Sequence, residues 1–206
     1  MPYRLADKQT IFVGKKIKVE VRHLENEETG SRILREVVVH PGAVVILAIE
    51  KDDTVLLIHN RRQSIGEVLL ELPAGTLEKG EDPMNCAGRE LIEETGYIAG
   101  RLMPMPAFYT SPGILTERMY PFVAYDLQET KRALEEGEEI EVMPVPLNVA
   151  ITMCADGRIC DGKTIATLLM YERFFRQGKG KGKAGSGAGG ARSANEDPDG
   201  VIPMDG

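Results

Sequence analysis

Apolar and polar residues alternate over residues 10–24, where Ile17, Val19 and Val21 are spaced by Lys18 and Glu20. This period of two predicts a strand with one solvated face. The turn-forming Glu28-Thr29-Gly30 separates it from a second β-like run over 32–39, which His40-Pro41-Gly42 breaks. The pattern then changes. Residues 43–50 and 54–59 are near-continuous in Val, Ile and Leu and are joined by polar Lys51-Asp52-Asp53, which predicts a β-hairpin. Residues 68–72 read as a strand ending at Pro73, 119–126 and 140–145 as two more, and 149–155 and 163–176 as helices. Between these sets, Asp82-Pro83 offers a helix start, with Asp as cap and Pro at the first helical position, and Gly96 offers its stop. Mixed strands with a helix between them and helices at the end predict an α/β fold in layers.

Beyond residue 177 the pattern collapses into Gly, Lys, Ala, Ser and Asp, a composition that cannot bury enough apolar surface to offset its ordering entropy. Three segments follow: an N-terminal β segment over 1–42, a core domain over 43–177, and a flexible tail over 178–206. At 206 residues, one domain with a sizeable core is expected. A net charge of −7 argues against a general nucleic-acid binder, because phosphate backbones demand clustered Lys and Arg. The three cysteines, Cys86, Cys154 and Cys160, form no CxxC pair and read as reduced thiols. With no signal-peptide pattern and no apolar run long enough for a bilayer, a cytoplasmic protein without membrane contact is expected.

The chemistry concentrates in residues 75–97. Glu90 and Glu94 lie one helical turn apart on one face, with Glu93 beside them. Like charges at this spacing repel unless a cation neutralises them, and hard carboxylate oxygens suit Mg²⁺ or Mn²⁺. The same residues also suit a plain solvated acidic face. Arg89 is spaced to pair with Glu93 at i,i+4.

The segment resembles the Nudix box, GX5EX7REUXEEXGU with U a bulky apolar residue. It matches through Gly75, Glu81, Arg89, Glu90, Leu91, Glu93, Glu94, Gly96 and Tyr97, and the flanking likeness runs from roughly residue 10 to residue 177. The resemblance implies a Nudix-type α/β/α sandwich with a mixed sheet, and hydrolysis of a nucleoside diphosphate linked to another moiety. It also implies that Glu90, Glu93, Glu94 and the Ala74 carbonyl hold Mg²⁺, with Mn²⁺ as a substitute. It counts Glu93 among the catalytic residues, and implies a homodimer formed through the N-terminal strands.

Three stretches outside the box bear on the substrate. Ser111-Pro112-Gly113 marks a turn, so Glu117 sits on a loop; residue type leaves open an ordinary loop acid or a group that orients and deprotonates water. The SPG…ER context is similar to that of ADP-ribose pyrophosphatases, which aligns Glu117 with their catalytic loop glutamate and puts Pro112 and Gly113 at the substrate. Arg62 stands where the family has an arginine facing the diphosphate. Its planar fork suits that role and equally suits a surface ion pair, while Arg61 and His59 depart from the family pattern. There is no Trp to stack on a base, which leaves Phe12, Phe108 or Tyr109. Residues 157–164, GRICDGKT, satisfy the P-loop string GxxxxGK(S/T), but the run before them reads as a helix where that motif needs a strand. They read instead as a turn capping the last helix, similar to the DGKT-like region of ADP-ribose and GDP-mannose pyrophosphatases. The resulting expectation is Mg²⁺-dependent hydrolysis of ADP-ribose to AMP and ribose 5-phosphate. GDP-mannose or another nucleotide sugar is the nearer alternative, and a non-catalytic ADP-ribose sensor the more distant one.

Overall fold

The computed structural model describes residues 2–134 and 139–176; the tail expected over 178–206 lies outside the described residues. Strands β1 (Tyr3–Val13), β2 (Lys18–Asn26) and β3 (Arg32–Val39) form an antiparallel sheet in that order. The single run expected over 10–24 is thus two strands. Gly14 interrupts it, its N–H donating to the Ile17 carbonyl at 2.8 Å, and the chain reverses over Lys15 and Lys16.

Strand β4 (Ala43–Ala48) is buried at every position, which is why its sequence is continuously apolar. Its alternate residues serve two layers. Val44, Ile46 and Ala48 pack with Cys86, Ala87 and Leu91 of helix α1 (Pro83–Thr95). Val45 and Leu47 pack with residues of the C-terminal helices α2 (Leu147–Ala155) and α3 (Gly162–Met170). Two apolar clusters on either side of one strand make the α/β/α sandwich.

The expected hairpin between β4 and β5 (Thr54–Arg62) is replaced by a parting of the two strands. The turn closes with one bridge, Ile49 to Val55, after which the strands enter different sheets. β4 lies between β7 (Ala74–Thr76) and β10 (Arg118–Glu129), parallel to the latter, with β8 (Tyr97–Pro104) beyond and β9 (Phe108–Tyr109) also on β10. β5 lies between β6 (Glu67–Glu71) and β11 (Ile140–Pro146). Two neighbouring runs that are both apolar on both faces each take a central place, and a two-stranded hairpin offers only edges. Strands β7, β8 and β9 were not expected: β7 and β9 are too short to show a period, and Gly100-Arg101 interrupts β8. The last helix, expected over 163–176, ends as an α-helix at Met170 and continues as a π-helical turn, Tyr171–Phe175. Among the described residues no helix is long and apolar enough to cross a membrane.

Candidate active site

Helix α1 is bounded as its sequence predicts. The Asp82 carboxylate accepts from the Met84 and Asn85 N–H groups at 2.9 and 3.3 Å, Pro83 occupies the first turn, and Gly96 ends the helix at φ +77°, a left-handed conformation suited to glycine. On this helix Arg89 organises the acids. Its Nε and Nη2 donate to Glu81 at 3.0 and 3.1 Å, and its Nη1 donates to both Glu90 and Glu93 at 2.8 Å. The hydrogen bonds to Glu81 raise the Arg89 pKa further above its ordinary value, and the same pairing holds Glu81 below the usual carboxylate range. Burial, with Glu81 and Glu90 nearby, pushes the Cys86 thiol far up and keeps it protonated.

Gly75 is required here by space and not by a left-handed backbone, since its φ is not positive. A Cβ on Gly75 would lie 1.8 Å from Glu90 Cδ, so the Glu90 carboxyl rests against bare backbone. Glu94 is buried and accepts from the Ala74 N–H at 2.9 Å. Among the described residues no three acidic, His or Cys side chains already converge as a ligand set, since Arg89 and the Ala74 amide draw the box carboxylates to separate partners. The donors still suit a divalent metal: Glu90, Glu93 and Glu94 stand on one rigid helix, with Glu90 against the bare backbone of Gly75 and Glu94 on the Ala74 amide.

Ala74 and Gly75 also line a cleft of about 690 Å³, and Glu117 and Arg62 line it with them. Glu117 stands just before β10, and its Oε2 accepts from the Thr110 hydroxyl at 2.7 Å. Its Oε1 lies 3.6 Å from Nδ1 of His40, a nitrogen that accepts from the Gly42 N–H at 3.1 Å. The loop is fixed from outside. Val38 of β3 donates to the Ile114 carbonyl at 2.8 Å, the Thr116 N–H donates to Val38 at 3.0 Å, and the Thr116 hydroxyl accepts from the His40 N–H at 2.9 Å. Pro112 and Gly113 are exposed in the turn of this loop and do not line the cleft. Of the aromatic residues named above, Phe108 and Tyr109 line it, while Phe12 stands exposed on β1.

Arg62 reaches the cleft in company that sequence reasoning missed. Its Nε donates to Glu71 at 2.9 Å, its Nη2 donates to the second oxygen of the same carboxylate, and these bonds raise its pKa. Glu71 is 1% exposed and also accepts from Lys163 Nζ at 2.6 Å. The P-loop-like string therefore does two things. Asp161 caps α3 as expected, accepting from the Thr164 N–H at 3.0 Å, and Lys163 lines the cleft beside it. No strand precedes the string: α2 does, so the P-loop context is lacking. The alternation of Leu70-Glu71-Leu72 placed an acid among apolar neighbours, which was the available signal for Glu71.

Comparison with known proteins agrees with this geometry. The NUDIX domain model matches residues 39–198. An ADP-ribose pyrophosphatase of Bacillus subtilis (strain 168) is 42% identical over 159 residues, covering 76% of this chain and 85% of that one. A GDP-mannose pyrophosphatase of Yersinia pestis (strain Pestoides F) is 39% identical over 136 residues, covering 62% and 68% respectively. A solved structure described as an ADP compounds hydrolase superposes with a TM-score of 0.77 over 87% of this chain and 97% of its own, and at 24% identity that likeness is one of fold. The box set around Arg89, the sandwich that carries it and these relatives lead to one conclusion: the chain belongs to the Nudix hydrolase family.

Proposed function

We propose that this chain hydrolyses the pyrophosphate bond of ADP-ribose, releasing AMP and ribose 5-phosphate, with Mg²⁺ or, in its place, Mn²⁺. The observation that carries the reading is the shared cleft, where Arg62, the Ala74–Gly75 backbone beneath the box helix and Glu117 border one space of about 690 Å³. That volume suits a nucleoside diphosphate sugar. The Bacillus subtilis relative supports ADP-ribose as the substrate.

Enzymes of this family generally depend on a divalent metal. The carboxylates of Glu90, Glu93 and Glu94, with the Ala74 carbonyl, would hold it, and once bound it would neutralise the diphosphate and acidify a water. Arg89 holds Glu90 and Glu93 in place, so the acids of the box act from fixed positions. Glu117 orients the attacking water and takes its proton, seated by the Thr110 hydroxyl. The water oxygen joins one phosphorus as its bond to the bridging oxygen breaks, and the bridging oxygen leaves with the other phosphate. Arg62 offers its fork to the diphosphate. Pro112 and Gly113 serve the substrate indirectly, by setting the turn that presents Glu117.

Residues 1–42 serve as a pairing segment, 43–177 as the catalytic domain and 178–206 as a tail. Tyr3, Leu5, Ile11, Phe12 and Val13 are exposed on β1 and support a homodimer formed through that sheet. The free thiols Cys86, Cys154 and Cys160 support a cytoplasmic setting. GDP-mannose is the second reading, supported by the Yersinia pestis relative.

The test is product analysis with Mg²⁺ on ADP-ribose, GDP-mannose, NADH and diadenosine polyphosphates, with Glu94→Gln and Glu117→Gln alongside. AMP released preferentially from ADP-ribose is expected. Glu117→Gln should lower kcat by about 10²–10⁴-fold, the contribution of a positioned general base. Preference for GDP-mannose would move the specificity and keep the mechanism. ADP-ribose bound without turnover would overturn the hydrolase reading in favour of a sensor.

A further inference from the structure

The N-terminal sheet meets the loop of Glu117 at the edge of β3. That strand pairs with β2 on one side, and on the other Val38 gives both of its backbone polar groups to the loop. Its N–H donates to the Ile114 carbonyl at 2.8 Å and its carbonyl accepts from the Thr116 N–H at 3.0 Å, a one-residue parallel bridge centred on Leu115. The need to cover an open strand edge explains those two bonds. It does not explain the next contact. The Thr116 hydroxyl, seventy-six residues along the chain from His40, accepts from the His40 N–H at 2.9 Å and lies 3.4 Å from the His40 carbonyl. Held in this way, the His40 ring stands 3.6 Å from Oε1 of Glu117 and is itself only 11% exposed. Its Nδ1 already accepts from the Gly42 N–H, so the ring is a wall beside the carboxylate and not a donor to it. The other oxygen of Glu117 takes the Thr110 hydroxyl at 2.7 Å, and the carboxylate is bounded on two sides.

We propose that Thr116 and His40 are positioning residues for Glu117, and that β3 sets the place of the general base in the cleft through them. This rests on reading Glu117 as that base. A base works only within hydrogen-bond reach of the proton it takes, and a shift of about 1 Å costs on the order of 10²-fold in rate. Glu117 immediately precedes β10, so the strand fixes its main chain on one side. On the other side the chain passes through an exposed turn, where the Ile114 and Leu115 N–H groups donate to the Ser111 carbonyl at 3.1 and 2.9 Å. Those bonds give the turn its shape and not its place. The hold on His40 gives the place, because the chain runs from His40 through Pro41 and Gly42 directly into Ala43, which lines the cleft and opens β4. The N-terminal segment then has a second task besides pairing, which is to carry the seat of the base.

The competing account makes Thr116 a tie that matters for stability alone. A double-mutant cycle on the full chain separates the two: wild type, Thr116→Val, Glu117→Gln and both together, with Thr116→Ser as the conservative form. For each, kcat and KM are measured on ADP-ribose and on GDP-mannose at saturating Mg²⁺, and the urea midpoint is taken. Thr116→Val keeps the shape and removes the hydroxyl. Thr116→Ala, which admits water to the His40 N–H, takes its place in the cycle if the valine form does not fold. The expected result is kcat lowered about 10–10²-fold in Thr116→Val with KM within about threefold, and Thr116→Ser within about threefold of wild type in both. In the Glu117→Gln background the same Thr116→Val should change kcat by less than about twofold, because a residue that acts through Glu117 has nothing left to position. Equal losses of kcat in the two backgrounds would overturn the proposal, and so would a Thr116→Val form with a lowered urea midpoint and wild-type kcat. If Glu117→Gln alone left kcat unchanged, the base assignment would fail and the proposal with it, and that failure is distinct because it is read in a form whose Thr116 is intact.

Discussion

Two charged groups border the cleft, and they are assembled in opposite ways. In the acidic group, Arg89 bonds Glu90, Glu93 and Glu81, all within one helix and the turn before it. In the cationic group, Glu71 bonds Arg62 nine residues away and Lys163 ninety-two residues away. The acidic group needs only that α1 be helical and capped. The cationic group exists only after β5, β6 and α3 have docked. Local spacing can therefore be read and carried in a motif, whereas a site built by packing leaves isolated residues in the sequence, each with an ordinary alternative role.

The largest test of this contrast is Gly75→Ala. The added Cβ would meet Glu90 Cδ at 1.8 Å, a distance that side chains do not tolerate, so Glu90 must move. Misplacing a reacting group by about 1 Å can cost on the order of 10²-fold in rate. We expect kcat to fall by about that factor and the Mg²⁺ requirement to rise, with KM little changed, measured in a metal titration at saturating substrate. Arg62→Met, which removes the fork offered to the diphosphate, should show the reverse split, a raised KM with kcat little changed. If Gly75→Ala raised KM alone, the two groups would not divide the work in this way.

The same contrast explains what was legible. Asp82-Pro83, Gly96 and the carboxylates between them could be read because each depends on neighbours a few residues away. The continuous apolar runs of β4 and β5 gave strands but not partners: a strand apolar on both faces says that it is central and not which sheet it enters. Glu117 was assigned by resemblance, and nothing near it in sequence foretold that His40 and Val38 would seat its loop. Lys163 stood in plain sight within a P-loop-like string, but its partner lies across the fold. The role of Gly75 could not be read from its neighbours either, because its contact with Glu90 is made fifteen residues along the chain.

A stability comparison sharpens the point at smaller magnitude. Thr164 is fully buried; its hydroxyl accepts from the Leu72 N–H at 2.9 Å and donates to Asp161 at 2.6 Å, tying α3 to the end of β6. Thr164→Val keeps the shape and strands a buried amide, a loss of about 1–3 kcal/mol. Asp82→Ala removes the local cap of α1 and should cost about 1 kcal/mol. Urea denaturation of both variants measures the difference. A larger loss from the cap than from the long-range tie would reverse the ranking.

Acidity gives the smallest effect and separates the two kinds of contact by pH. His40 packs against the loop of Glu117, and its Nδ1 accepts from the Gly42 N–H, which requires that nitrogen to be unprotonated. Burial lowers the His40 pKa from 6.5, Glu117 opposes the shift, and Lys16 reinforces it. The unfolded chain therefore takes up the proton first. The stability linked to His40 is fully present above pH 6.5 and declines as pH falls below it, until folded His40 is itself protonated. Glu81 behaves differently because Arg89 holds its carboxyl below 4.5. Its contribution is complete above that value and is lost only as pH falls through the lowered one. Between 6.5 and 4.5, then, the long-range seat of Glu117 weakens while the Arg89–Glu81 pair holds. His40→Asn supplies an amide oxygen for the Gly42 N–H and does not titrate. Urea midpoints taken from about pH 7.5 to about pH 5 should show the wild type losing ground to the variant below pH 6.5 and running parallel to it above. Parallel curves across the whole range would mean that His40 carries no pH-dependent part of that seat.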